Sequence, residues 1–444
     1  MSLFEGFFKL KEHNTNARTE IMAGITTFMT MAYILIVNPN ILSATGMDAG
    51  AIFTATALSA VVGTLVMALA ANLPFALAPG MGLNAFFAYT VVLKLGYSWE
   101  FALTAVLLEG LIFIALTFLN VREAIINAIP MCLKHAISVG IGLFISLIGF
   151  VNAGIVETGM FHVGEGNLSG LVIKLGDVTS PGAVVALFGI GLIGVLLSKN
   201  VKGAILIGMV AATLIGIPLG VTDLSSVQFN GFMPPSLEPI LFKFDFTKIL
   251  TMDMFVVLLT FLFVDMFDTV GTLVGVSSKA GLLDEEGRVP KAKQALLADA
   301  VGTTVGACIG TSTVTTFVES ASGVAEGGRT GLTALSTAMM FFLSLFLAPL
   351  FLVVPSAATA PALVVVGLFM MSPIKNINFD DFTESLPAFL TIVMMPFSYS
   401  IADGIIFGVV SYVVVKAFAG KHKEVPMLAY LLAFLFVLKF IFNI

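Results

Sequence analysis

Leu258-Leu-Thr-Phe-Leu-Phe-Val-Asp-Met-Phe-Asp-Thr-Val-Gly-Thr-Leu-Val-Gly275 is part of an apolar stretch long enough to cross a bilayer as a helix, which takes about 20 residues. It nevertheless carries two carboxylates, Asp265 and Asp268. An acid at membrane depth costs about 2.5–3.5 kcal/mol or more unless it faces a cavity, a partner or a substrate. Three residues apart, the two share one helix face. That face is the expected wall of a polar site inside a helical membrane protein.

Composition supports the membrane setting: 58% of the 444 residues are hydrophobic and 11% charged, against about 25% charged in a soluble domain. No signal-peptide pattern opens the chain. The first apolar stretch begins near Ile21, after Lys9, Lys11 and Arg18, so the N-terminus is expected in the cytoplasm and intact. The net charge of −6 carries little information, because orientation follows Lys and Arg and not acids. Cys132 and Cys308 are isolated and read as small buried residues. His13, His135, His162 and His422 have no partners at ligand spacing, so no metal or other cofactor is expected. No P-loop, nucleophile elbow or zinc signature occurs, which argues against an enzyme or an ATP-driven pump.

Apolar segments fall near 21–42, 51–71, 80–95, 100–119, 135–152, 182–198 and 203–220. A polar stretch separates these from a second set near 254–278, 291–310, 313–325, 331–354, 357–372, 383–398 and 401–419, with an apolar tail at 425–444. Fourteen helical spans place most of the 21 Lys and Arg on the cytoplasmic side, among them Arg122, Lys134, Lys199, Lys202 and Arg329. The opposite side receives only Lys94, Lys174, Lys243 and Lys248, in keeping with the positive-inside rule. The tail is left open as an interfacial helix, a half-span or a fifteenth crossing.

Seven spans followed by seven predict an inverted repeat, residues 1–220 and 253–420 joined by an extracytoplasmic connection at 221–252 and followed by the tail at 421–444. Faint echoes agree: Thr27-Phe28 with Thr260-Phe261, Val62-Gly-Thr64 with Val301-Gly-Thr303, and Gly142-Leu-Phe144 with Gly367-Leu-Phe369. The third segment of each half is the unusual one. Ala78-Pro-Gly-Met-Gly-Leu-Asn-Ala-Phe-Phe-Ala-Tyr89 and the Thr/Ser run at 311–316 predict an extended piece followed by a half-helix in segments 3 and 10. Each half-helix would turn its free N–H groups toward the membrane centre.

This places Asn84 and Glu319 beside Asp265 and Asp268. Carboxylates accept N–H donors and an amide both gives and takes, which suits a neutral, flat, hydrogen-bonding solute. Phe86, Phe87, Phe261, Phe263, Phe267 and Phe317 offer rings for stacking. Asp299 and Glu109 lie within apolar spans and are expected to line an interface between helix groups, and Glu326 to pair with Arg329 at the surface.

Arg18-Thr-Glu-Ile-Met-Ala-Gly-Ile-Thr-Thr-Phe-Met-Thr-Met-Ala-Tyr-Ile-Leu-Ile-Val-Asn-Pro39, Ala78–Phe87, Phe263-Val-Asp-Met-Phe-Asp-Thr-Val-Gly-Thr272 and Thr316-Phe-Val-Glu-Ser-Ala-Ser-Gly-Val-Ala325 closely resemble the azaguanine-permease-like (hypoxanthine/guanine) branch of the nucleobase:cation symporter-2 family. The resemblance implies an all-α fold of fourteen transmembrane segments in two inverted repeats. Segments 1–4 and 8–11 would form a core and segments 5–7 and 12–14 a gate, with a homodimer through the gates. It also implies purine uptake across the plasma membrane driven by protons. Carried over residue by residue, the substrate-binding acid falls on Asp265, the acid implicated in binding or coupling on Asp268, the essential glutamate on Glu319 and the asparagine on Asn84; Phe317 and Thr269 are expected beside them in the substrate site, and Asp268, Asp265 and Glu319 are expected to couple the proton. The expected partners are hypoxanthine, guanine or adenine, the proton and the lipid bilayer, with no nucleic acid. A carboxylate such as Glu319 can accept the N1–H of a 6-oxopurine and the 2-amino group of guanine, whereas adenine lacks that N1–H. Adenine or xanthine/uracil transport and Na⁺ coupling stay open alternatives, as do an anion exchanger or a channel on the same fold.

Overall fold

A computed structural model describes residues 3–119, 130–163, 168–224, 233–283 and 289–442. Arg122, the acidic loop Asp284–Arg288 and part of the 221–252 connection lie outside the described residues, as does the side chain of Phe267. Each of the fourteen apolar segments contains a helix. Nine helical stretches among the described residues are long and apolar enough to cross a membrane, and Met81–Lys94, Ala204–Gly216 and Phe382–Ser398 are shorter apolar helices.

Several segments are interrupted where their side chains compete with the helix. Segment 1 divides into Ala17–Met31 and Ile34–Ser43. Just before the joint, the Thr30 hydroxyl bonds the carbonyls of Thr26 and Thr27 at 3.2 and 2.8 Å, a back-bonding that bends helices. Segment 11 runs from Gly331 to Ser344, tightens to a 3₁₀ turn at Leu345–Leu347 and resumes at Ala348–Leu352. Pro349, with no N–H and a ring that clashes with the carbonyl four residues back, accounts for the break. Pro361, Pro387 and Pro396 lie inside their helices.

The extended pieces of segments 3 and 10 are strands β1 (Leu77–Pro79) and β4 (Val314–Thr316). They pair with each other, antiparallel, with Leu77 opposite Thr316 and Pro79 opposite Val314. Gly80 N–H to Thr313 O (2.9 Å) and Phe317 N–H to Ala76 O (3.0 Å) continue the ladder at its two ends. Two threonines clamp the outer edges. The Thr64 hydroxyl donates to Leu77 O (3.1 Å) and accepts from Leu77 N–H (2.9 Å), and Thr303 does the same for Val314, both at 3.1 Å. Every polar group so engaged is spared the cost of lying bare in a dry interior.

Two of the three sequence echoes meet in space. A Cβ added at Gly302 would lie 3.2 Å from the Cα of Gly63, and one at Gly142 only 2.5 Å from the carbonyl oxygen of Gly367. Small residues here let backbones approach, as in other membrane helix pairs. Segment 9 packs on 2 and 4, and segment 1 on 11. Segment 12 packs on 5, 6 and 7, and segment 13 on 5 and 14. Helices 1–4 and 8–11 thus pack mainly among themselves, and so do 5–7 and 12–14.

Among the described residues, one feature departs from the expected helices with short extended pieces in segments 3 and 10: a hairpin between segments 5 and 6, β2 (Val156–Val163) against β3 (Leu168–Leu175). Glu157 and Lys174 face one another across it at 2.9 Å, and its β-branched residues escape a reading tuned to spans. The tail forms a helix at Met427–Phe442 that packs on segment 14. Ahead of it, Lys421 binds Asp381 at 2.7 Å. That contact, with hydrogen bonds from Thr383, holds the Asp381 carboxyl well below the usual range. Its contribution to stability is therefore complete above about pH 4 and is lost as pH falls through the lower folded value.

Gly367→Ala places a methyl 2.4 Å from the Gly142 carbonyl oxygen and is expected to destabilise the protein by about 1–3 kcal/mol. Thermal unfolding in detergent measures this. Gly191→Ala, which meets nothing within 4 Å, is the control and is expected to stay close to the parent.

Candidate functional site

The β1–β4 pair brings the two half-helices and the acid-bearing eighth segment to one place. Glu319 precedes the half-helix Ser320–Ala325, and its Oε1 accepts the Tyr33 hydroxyl at 2.6 Å. Asp268 lies beside Thr315 of β4 and within electrostatic reach of Asp299 and Glu319. Asp268 and Glu319 are each only partly buried.

Asp265 sits one layer deeper and is fully buried. Thr269, also buried, reaches Asp265 Oδ1 at 3.2 Å and Asp299 Oδ1 at 2.8 Å. A hydroxyl has one hydrogen and here faces two carboxylates. An added proton on either carboxyl lets both contacts be hydrogen bonds. Asn84 is likewise buried. Its Oδ1 accepts from Ser312 and its Nδ2 reaches Pro79 O at 3.4 Å, so in this conformation the amide serves the broken segments' own polar groups. Phe317 is buried with its ring centroid 6.5 Å from that of Tyr33, and Phe86 and Phe261 meet edge to face at 4.8 Å.

Asp299 and Glu109 are both fully buried. Asp299 faces Thr269, and Glu109 accepts from Thr313, both within the assembly of segments 4, 8, 9 and 10. Ser312 and Thr313 are successive residues of an extended run and so face opposite ways. One meets Asn84 and the other Glu109. Glu20, buried, accepts from Arg329 N–H (2.9 Å), Thr330 N–H (3.2 Å) and Thr333 N–H (3.2 Å), placing negative charge where the eleventh helix begins.

Ion pairs join the two helix groups at both ends. Lys94, closing segment 3, binds Asp403 Oδ2 and the Ser398 carbonyl oxygen, each at 2.7 Å, where segment 14 begins. Lys202, just before segment 7, pairs with Glu326 at the end of segment 10. The expected Glu326–Arg329 pair is not formed; Arg329 instead donates to the carbonyls of Val324 and Gly328 at 2.7 Å. Tyr33 and Thr315 were missed in the sequence. The available signal was a tyrosine within an apolar span, whose hydroxyl must find an acceptor.

A family model for permeases matches residues 18–407, and it is that of the nucleobase:cation symporter-2 proteins. The chain belongs to this family. A Methanocaldococcus jannaschii protein described as a putative permease is 48% identical over 442 residues, covering 100% of this chain and 99% of the other. The guanine/hypoxanthine permease PbuO of Bacillus subtilis is 44% identical over 441 residues (97% and 99%). The adenine permease AdeP of Escherichia coli is 43% identical over 442 residues (99% and 96%). Among solved structures, the transmembrane domain of the cyanobacterial bicarbonate transporter BicA superposes with a TM-score of 0.65 at 19% identity, covering 87% of this chain and 97% of that one. A likeness at that identity shows the fold alone. The protein is thus a multi-pass membrane permease and not an enzyme.

Thr269→Val leaves Asp265 and Asp299 facing a methyl group. Labelled-purine uptake is expected to fall about tenfold or more, the size of one lost buried hydrogen bond of about 1.4 kcal/mol, with protein still reaching the membrane. Thr269→Ser restores the hydroxyl and is expected to retain most uptake.

Proposed function

We propose that this permease imports 6-oxopurine nucleobases, hypoxanthine and guanine, together with protons across the plasma membrane, its N-terminus in the cytoplasm. The observation that carries this reading is the pair of partly exposed carboxylates, Asp268 and Glu319, at the β1–β4 junction. Such a site accepts N–H donors from a flat, neutral solute. Glu319 takes the N1–H edge, Phe317 offers ring contact, and Asn84, Asp265 and Thr269 complete the substrate site as the helices rearrange. Asp268, Asp265 and Glu319 carry the coupling proton, supported by the one hydroxyl hydrogen that Thr269 offers to two carboxylates. An acid that takes up a proton enters the substrate-bound state without a net buried charge.

The fourteen segments form two inverted repeats, residues 1–220 and 253–420. The matching Thr64 and Thr303 clamps and the close approach of Gly63 to Gly302 and of Gly142 to Gly367 support this. Segments 1–4 and 8–11 act as the core that carries substrate, segments 5–7 and 12–14 as the gate, and two gates meet in a homodimer. Alternating access then consists of relative displacement of core and gate, which the ion pairs Lys94–Asp403 and Lys202–Glu326 must each release in turn.

Adenine transport is the second reading, since AdeP is about as similar as PbuO. Competition of labelled hypoxanthine uptake by guanine, adenine, xanthine and uracil, with and without a protonophore, separates the possibilities. Guanine is expected to compete and the protonophore to abolish accumulation. Uptake that survives collapse of the proton gradient refutes proton symport, and stronger competition by adenine than by guanine reassigns the substrate. Glu319→Ala is expected to abolish uptake while protein still reaches the membrane. Cysteines at positions 94 and 403, oxidised to a disulfide, are expected to stop transport reversibly; full transport by the cross-linked protein argues against the displacement.

A further inference from the structure

Tyr33 occupies the joint between the two helices of segment 1, with its side chain 1% exposed. A tyrosine hydroxyl in an apolar span has to find an acceptor. Tyr33 finds Oε1 of Glu319 at 2.6 Å, in the opposite half of the chain. The Thr30 hydroxyl, one turn earlier, approaches the Glu319 carbonyl oxygen at 3.5 Å, so the end of the first helix is fitted to this one residue. The Tyr33 ring also lies beside that of Phe317, with 6.5 Å between centroids.

A carboxylate has two oxygens, and the purines differ in how many donors they bring. Along the edge that includes N1, hypoxanthine presents the N1–H alone. Guanine presents N1–H and a 2-amino group side by side, a fork that matches both oxygens of a free carboxylate. In this site Oε1 already accepts a short O–H bond, which draws off its charge and weakens it as an acceptor for a second donor. Oε2 is left as the better acceptor.

We propose that Tyr33 is a specificity-determining positioning residue: by holding Oε1 of Glu319 it makes that carboxylate a one-donor reader, so that hypoxanthine and guanine are accepted alike. This rests on Glu319 being the group that receives the purine N–H. The 2-amino group of guanine then adds little affinity in the parent protein. Removing the hydroxyl frees Oε1 and rewards guanine with the second bond. Tyr33→Phe keeps the ring and its contact with Phe317 and takes away only the donor.

The test uses the full chain in lipid nanodiscs and measures the dissociation constants of guanine and hypoxanthine, with initial uptake rates in cells lacking their own purine carriers. In the parent protein the two constants are expected to agree within about threefold. In Tyr33→Phe the ratio is expected to move toward guanine by about tenfold, equivalent to about 1.4 kcal/mol. A purely structural tyrosine weakens both ligands together and leaves the ratio unchanged, which overturns the proposal. If Tyr33→Phe does not reach the membrane, the parent ratio still decides: a guanine preference above about tenfold in the intact protein contradicts a one-donor site. Should the parent bind neither purine, the transport reading itself fails, which is distinguishable from failure of the role given to Tyr33.

Discussion

Backbone amides and carbonyls that leave a helix at membrane depth have to be bonded by protein, and the short β1–β4 ladder is how this chain meets that constraint. The pairing satisfies the unwound parts of segments 3 and 10 with each other, and Thr64 and Thr303 satisfy the outward edges. Everything at the site depends on this ladder. It sets where the half-helix after Glu319 begins, where Asn84 lies and which part of the eighth segment faces them. The small residues around it, Gly63 and Gly302 above all, are needed because a side chain there would push the clamping helices away from the strands.

The acids then fall into two layers with different surroundings. Asp268 and Glu319 keep some exposure, whereas Asp265 and Asp299 are buried around the Thr269 hydroxyl. Thr315 of β4 lies beside Asp268 of the outer pair, and Thr303 bonds the backbone of Val314 in the same strand.

Much of this was legible in the sequence, for identifiable reasons. Acids in an apolar stretch are conspicuous by their cost, and Pro, Gly and Thr runs advertise broken helices, so Asp265, Asp268, Glu319 and the extended pieces of segments 3 and 10 could be placed together before any coordinates. The partners were harder. Tyr33 and Thr315 look like ordinary span residues, and only the fold brings them to the acids. Glu326 found Lys202 and not the nearer Arg329, because Arg329 is taken up by carbonyls of its own turn. The β2–β3 hairpin was missed because its stretch is neither long enough nor apolar enough to resemble a span, and strand signals are weak beside strong helical ones.

The ion pairs at the two faces have a consequence for energetics across a charged membrane. One helix group carries Lys94 at one face and Glu326 at the other, while its counterpart carries Asp403 and Lys202 with the signs exchanged. A unit charge carried through the full field is worth about 2.3 kcal/mol per 100 mV. In the displacement proposed above, a cation and an anion move together on the same group, so in a uniform field those contributions cancel. The voltage across the bilayer would then do no net work on these four side chains, and would act instead on whatever charge the central acids and their cargo hold at that moment.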